Sequence, residues 1–254
     1  MDEPFQQVLS ELEIKRTEIR CSNTGARFRG HSSPEFSLLP ALLRKAQDSD
    51  TEHTLYHACY ARAHRLLREG TNSWEVLSIL QHHGVPTRLL DWTESFAVAL
   101  FFALADDPPE PTVWVLNPFR LNRAAGFSEQ NRIPQVGLDD LPDYYETFAR
   151  WQPPPRPGWP YSMPIFLQIP WASDRVAAQQ GFFTVHPDDR PLEEACPQWV
   201  RRVQIPTEAI PGAKRFLELA GVSAYTVFPD LQGLAKFLMV RQSPERVRYR
   251  SPPA

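Results

Sequence analysis

The side chains able to do chemistry in this chain gather in two stretches. One is Arg29-Gly30-His31. The other is Gln81-His82-His83-Gly84-Val85-Pro86-Thr87-Arg88-Leu89-Leu90-Asp91-Trp92-Thr93, which sets histidines, a guanidinium, a carboxylate and two hydroxyls directly ahead of an apolar run. An arginine beside a glycine suits an oxyanion, because the guanidinium is a planar fork of donors and the glycine lets a ligand or a neighbouring backbone come close. A turn feeding the N-terminus of a buried helix adds free N–H groups and a favourable dipole for a phosphate. A plain structural reading stands beside this one. Arg88 and Asp91 would pair next to the core with Trp92 packed on them, and Arg29 would pair with Asp91 or Asp230.

Of the two adjacent histidines, His83 beside Gly84 is the better candidate for acid–base work, its alternative being to cap free carbonyls at a helix end. His31 can reach the same pocket as Gly30 or face solvent. Gln180-Gly181 ahead of an aromatic strand marks either close ligand approach or an ordinary strand start. Trp92, Phe182 and Phe183 can stack on a base or fill a core. His83, Asp91 and His31 lack a compact ligand spacing such as HExxH, so no metal ligands are expected. Neither a nucleophile elbow nor a phosphate-binding glycine loop is present, which leaves triad hydrolases and kinases without a starting residue. Arg62, Arg65 and Arg68 read as a solvated helix face.

The elements that must position these groups follow from periodicity and punctuation. Apolar Phe5, Val8, Leu9, Leu12 and Ile14 among charges predict an opening amphipathic helix over 5–19, and residues 26–30 a short strand ended by glycine. Residues 51–69 and 73–82 predict helices, the second capped by Ser73. Thr93 is the expected cap of the apolar helix that follows Glu94. Residues 112–116, 165–169, 181–186 and 199–205 predict strands, 207–219 a helix stopped by Gly221, and 231–240 a last short helix. Residues 119–163, rich in proline and aromatics, predict a long ordered excursion or a lid. The fold class is α+β, with an α-rich first half packed on a mixed or antiparallel sheet from the later half. The expected cleft lies between the two.

Composition narrows the setting. The 254 residues form one unit with 42% hydrophobic content, enough for a core, and 26 prolines against 11 glycines predict stiff connections. A net charge of −3 supplies no global basic field for nucleic acid, although residues 241–250 are locally basic. Cys21, Cys59 and Cys196 lie far apart without CxxC spacing, which fits a reducing cytoplasm. No run approaches a membrane span, so no membrane partner is expected.

Several motifs together resemble one family. Phe28-Arg29-Gly30-His31 followed by Phe36-Ser37-Leu38-Leu39-Pro40 matches the opening motif of the FRG-domain family, named for its aromatic-Arg-Gly sequence. His83 to Thr93 with Ala97, Ala99-Leu100 and Phe102-Ala103 matches its second and more specific motif. Gln180-Gly181-Phe182-Phe183-Thr184 and Phe228-Pro229-Asp230-Leu231-Gln232-Gly233-Leu234-Ala235 are similar to its later segments, so the resemblance runs over about 20–240. A more distant resemblance is to the arginine-serine-glutamate class of ADP-ribosyltransferases. It implies NAD as substrate, with Arg29 and Arg88 holding the pyrophosphate, Thr93 with Ser95 bracing the ribose, and Gly30, His31, Asp91, Trp92 and Gln180 nearby. A carboxylate would steady the oxocarbenium-like centre. Asp230 is the first candidate for it, Glu194 and Asp91 are rivals, and the Glu-x-Glu strand motif is missing. The catalytic set so implied is Arg29, Thr93, Asp230 and His83. The activity would be ADP-ribosyl transfer to a protein or nucleic acid, or NAD hydrolysis, with a bacterial toxin or antiphage defence role as corollary. The same residues also admit a non-catalytic nucleotide-sensing or protein-interaction module, or a metal-dependent hydrolase or nuclease.

Overall fold

A computed structural model describes residues 2–241 apart from 23, 34, 45–48, 106–107, 128–131, 151–157 and 172. The proline run at 153–157 and the basic stretch beyond 241 lie outside the described residues. Six strands, β1 (Arg27–His31), β2 (Leu89–Thr93), β3 (Thr112–Leu116), β4 (Ile165–Leu167), β5 (Gly181–Val185) and β6 (Val200–Gln204), form one antiparallel sheet in the order β4-β5-β2-β1-β3-β6. The fold is α+β, but its sheet is not confined to the later half. The two central strands come from the first half, where Arg-Phe-Arg-Gly-His and Leu-Leu-Asp-Trp-Thr carry little β-branched signal. Pairing with neighbours makes them strands.

The helices are α1 (Glu3–Glu18), α2 (Ala41–Arg44), α3 (Ser49–Ala63), α4 (Ser73–His82), α5 (Phe96–Ala103), α6 (Pro118–Ala124), α7 (Asp174–Ala178), α8 (Leu192–Ala195), α9 (Ile210–Leu219), α10 (Ala224–Val227) and α11 (Leu231–Arg241). Two caps differ from expectation. Asn72, not Ser73, caps α4, in a reciprocal box with Glu75. Ser95, not Thr93, caps α5, accepting from the Val98 N–H at 3.3 Å, while the Thr93 hydroxyl accepts from the Ser95 N–H at 3.0 Å. In both cases several capping-type residues stand close together, and the backbone path decides which one serves.

Residues opposite each other on a ladder share a face, so the register divides the sheet. On one face Phe28, Val113, Val115 and Val203 are buried with residues of α1, α5 and α9. On that same face, further along, Leu89, Phe183, Val185 and Leu167 join Trp74, Leu77 and Leu80 of α4. The opposite face buries Leu90, Trp92, Trp114, Leu116, Phe166 and Phe182 under Leu38, Leu121 and Leu192. The first face therefore carries two separate helical covers, and the gap between α4 and α5 lies over the centre of the sheet. Gly30 fixes one side of that gap: a Cβ there would stand 2.0 Å from the Ala99 carbonyl oxygen and 2.5 Å from the Ala103 nitrogen of α5. Only glycine lets the helix lie this close to β1.

The other helical cover is tied down by a buried network. Arg88 donates from Nε to Glu52 at 2.6 Å, from a second nitrogen to the other Glu52 oxygen, and from the third to the His186 carbonyl at 2.7 Å. Its guanidinium also lies 3.8 Å from the Phe148 ring centroid, and the Tyr144 hydroxyl donates to Glu52 at 2.5 Å. Burial opposes the Arg88 charge, and the Glu52 carboxylate more than offsets this. Burial first, then the Glu52 charge, pushes the Tyr144 phenol well above its usual range. Tyr144 and Ala149 are buried in this cover, next to the π-helical turn Tyr145–Ala149. Val136, Tyr144 and Ala149 of the 119–163 excursion are thus part of the core.

Glu52→Ala leaves Arg88 buried without its carboxylate. A loss of about 3–5 kcal/mol is expected from breaking such a pair on one side, read as a lowered midpoint in urea denaturation. Tyr144→Phe, which keeps the ion pair, should lose much less.

Candidate functional site

β1 pairs with β3 at five positions but with β2 at one, Phe28 against Thr93. Past that pair the two central strands part, and a cleft of about 370 Å³ opens there, bounded by α4, α5 and α7. Arg29 stands in the parting. Its guanidinium donates to the Asp91 main-chain carbonyl at 2.7 Å and lies 3.6 Å from the Asp91 carboxylate, while its Nε donates to His31 Nε2 at 2.8 Å. Arg29 is mostly buried and Asp91 is not, their side chains being 19% and 57% exposed. Burial lowers the Arg29 pKa and the Asp91 charge partly restores it.

The tautomer of His31 follows from its neighbours. Arg29 can only donate, so Nε2 must be the unprotonated nitrogen, and Nδ1 carries the hydrogen and donates to the Phe36 carbonyl at 3.0 Å. The Trp114 indole N–H, 3.3 Å from Nδ1, then approaches without a lone pair to receive it. Burial, reinforced by the Arg29 charge, drops the His31 pKa to about 3. His31 is therefore a neutral acceptor that orients Arg29 and takes no part in proton transfer near neutral pH.

Among the sequence-derived candidates, Arg29, Gly30, His31, Asp91, Trp92 and Thr93 line the cleft. The Trp92 indole points into the opposite core and donates to Thr184 at 3.1 Å, so it is no stacking platform for a base. Gly181 and Phe183 line it too, whereas Arg88, Ser95, Asp230, Gln180 and His83 do not. Arg88 holds Glu52 rather than Asp91 or a phosphate, because all three of its nitrogens are bonded inside the core. Ser95 spends its hydroxyl on the α5 cap. Asp230 accepts from the Gly233 N–H at 2.7 Å in the first turn of α11. Gln180 adopts a positive φ of 49°, and its neighbours Gln179 and Gly181 line the cleft instead. His83 is exposed at the α4 C-cap, and it is His82 that faces the cleft. A helix places consecutive side chains about 100° apart, so one member of the pair had to turn away.

Several lining residues carried no distinct sequence signal. Arg175 sits on α7, reaches toward the His82 carbonyl at 3.5 Å and covers the Phe228 ring at 4.6 Å. Arg44 ends α2, four residues past the Phe36–Pro40 motif, and its charge adds to the depression of the Arg29 and His31 pKa values. Burial, then Arg175, lowers the pKa of His82. Phe36, Phe102 and Phe183 supply apolar wall. Three guanidiniums thus face one carboxylate, which makes the cleft electropositive and suited to an anion with an apolar portion. Among the described residues no three His, Cys, Asp or Glu side chains are grouped to hold a metal ion, and no helix is long and apolar enough to cross a membrane. All three cysteines are free.

Residues 24–111 match the family model of the FRG domain. This segment is an FRG domain. The FRG match takes in both parted strands and the α4 and α5 walls, hence Arg29, Gly30, His31, Arg44, His82, Asp91 and Thr93. It ends before β3, so Arg175, Gln179, Gly181 and Phe183 join the site from beyond the FRG match. Comparison with curated proteins and with solved structures returns no match.

His31 gains its proton in the unfolded chain near pH 6.5 but in the folded one only at about 3. Between those values the unfolded state binds more protons, so stability declines as pH falls through the window. In His31→Gln this decline should be shallower. Nitrogen-15 NMR of the wild type should show a neutral, Nδ1-protonated ring at pH 5, and an imidazolium there would contradict the assigned hydrogen bonds.

Proposed function

We propose that the cleft binds a phosphate-bearing nucleotide, NAD in the first instance, and breaks its nicotinamide–ribose bond. The observation that carries this reading is the convergence of Arg29, Arg44 and Arg175 on a cleft whose one lining carboxylate, Asp91, is largely exposed. Guanidiniums match phosphate oxygens bidentately, and a rigid arginine held by His31 and a backbone carbonyl is ready for its ligand without rearrangement. In this reading Asp91 takes the carboxylate role first given to Asp230. As the C1′–N bond breaks, its electron pair departs with neutral nicotinamide, and the Asp91 carboxylate stabilises the positive charge left on the ribose. The acceptor, water or a nucleophilic group of a protein or nucleic acid, adds to C1′ and releases a proton. Thr93, whose oxygen already accepts from the Ser95 N–H, keeps its O–H to donate to a ribose hydroxyl.

A second reading has one observation in its favour. Asp91 is already engaged by Arg29, and a carboxylate so engaged suits recognition without chemistry, as in a nucleotide sensor.

Purified protein incubated with NAD, with and without cell extract, should release nicotinamide detectable by mass spectrometry. Arg29→Ala and Asp91→Asn should each lower the rate by about 100-fold or more, while Asp230→Asn changes it little. No release from folded protein that still binds NAD saturably would replace the enzyme by the sensor, and no binding at all would end the nucleotide reading.

A further inference from the structure

Away from the cleft, α3 carries His53 and His57 one helical turn apart, with ring centroids 4.2 Å from each other. Residues four apart on a helix share a face, the spacing by which two histidines of a helix grip one ion. The orientation of the first ring is fixed by an independent contact. His53 Nδ1 lies 2.6 Å from the Ala149 carbonyl oxygen at the end of the π-helical turn. A carbonyl only accepts, so Nδ1 carries the hydrogen and Nε2 holds the lone pair. A backbone carbonyl on one imidazole nitrogen is the outer contact that orients the other nitrogen of a metal-binding histidine and raises its basicity. His57 is exposed at the surface, and the Tyr145 ring, 5.4 Å from it, forms a wall beside the pair.

We propose that His53 and His57 form a two-histidine site for an imidazole-preferring divalent cation such as Zn²⁺, with water completing the coordination sphere. One ion about 2.1 Å from each nitrogen can bridge rings at this separation. Among the described residues no further His, Cys, Asp or Glu completes a three-ligand group with the pair, and two imidazoles favour Zn²⁺, Ni²⁺ or Cu²⁺ over Ca²⁺ or Mg²⁺. Because His53 is bonded to the turn that follows Tyr144, a bound ion would brace α3 against that turn and raise the stability of the folded state.

Titration calorimetry of the full chain, freed of metal, with Zn²⁺ and in parallel Mg²⁺ tests the site. Zn²⁺ should bind at one site and raise the melting temperature, Mg²⁺ should do neither, and His57→Ala should weaken Zn²⁺ binding at least tenfold. His57 is exposed at the surface, so that variant keeps its fold. His53→Ala should weaken binding likewise, whereas His64→Ala and His83→Ala should not. Failure of the folded protein to take up Zn²⁺, or affinity unchanged in His57→Ala, overturns the proposal. None of these outcomes depends on NAD.

Discussion

The guanidinium of Arg29 stands where two central strands of one sheet come apart, and the architecture of the site depends on that contact. An open seam inside a sheet leaves main-chain groups without their ladder partners, which is costly unless something else satisfies them. Arg29 does so by bonding the Asp91 carbonyl, while His31 and, through it, the Phe36 carbonyl keep the arginine in place. The charge that closes the backbone account is the same charge that makes the cavity electropositive. The seam's backbone and the cleft's charge are here served by one side chain, so substitutions at Arg29 act on both.

Around that seam the two helical covers are fastened by different means. The α5 side relies on absence: Gly30 has no Cβ, and small Ala99 and Ala103 let helix and strand backbones nearly touch. The other cover relies on a desolvated ion pair at its helix α3, with Arg88 and Glu52 holding each other and Tyr144 adding a further bond. Apolar packing alone would allow a cover to slide; a bidentate contact between a planar fork and a carboxylate resists it. One cover is thus held by a steric limit and the other by a hydrogen-bonded one.

Much of this was legible in the chain itself. The strands at 112–116 and 181–186, the latter one residue shorter in the structure, the helix stop at Gly221 and the glycine of Arg29-Gly30-His31 as a point of close approach follow from local composition, because β-rich runs and glycine act over short range. The partner of Arg88 did not follow. Glu52 is thirty-six positions away on a helix whose polar residues look like any solvated face, and Asp91 was nearer in sequence. The same limit hid Arg175, which reaches the cleft only because β5 pairs with β2 and brings α7 along. Choices between neighbours also failed for a geometric reason: His82 over His83, Ser95 over Thr93 and Gln179 over Gln180 depend on rotation about the chain, which residue type does not encode. The contact of His53 with the Ala149 carbonyl, ninety-six positions away, is likewise invisible in the sequence.

The strand order bears on where the folding unit ends. The segment that matches the FRG family contributes β2 and β1, adjacent in the middle of the sheet and joined to each other at a single register position. Their extensive ladders are to β5 on one side and β3 on the other, both outside the match. Cut at the limits of that segment, the polypeptide would present two short strands with both outer edges bare and almost no ladder between them, a form inclined to pair with other chains rather than to fold. The recognisable signature is therefore smaller than the body that can exist on its own, and any excision or fusion must keep the strands that flank it.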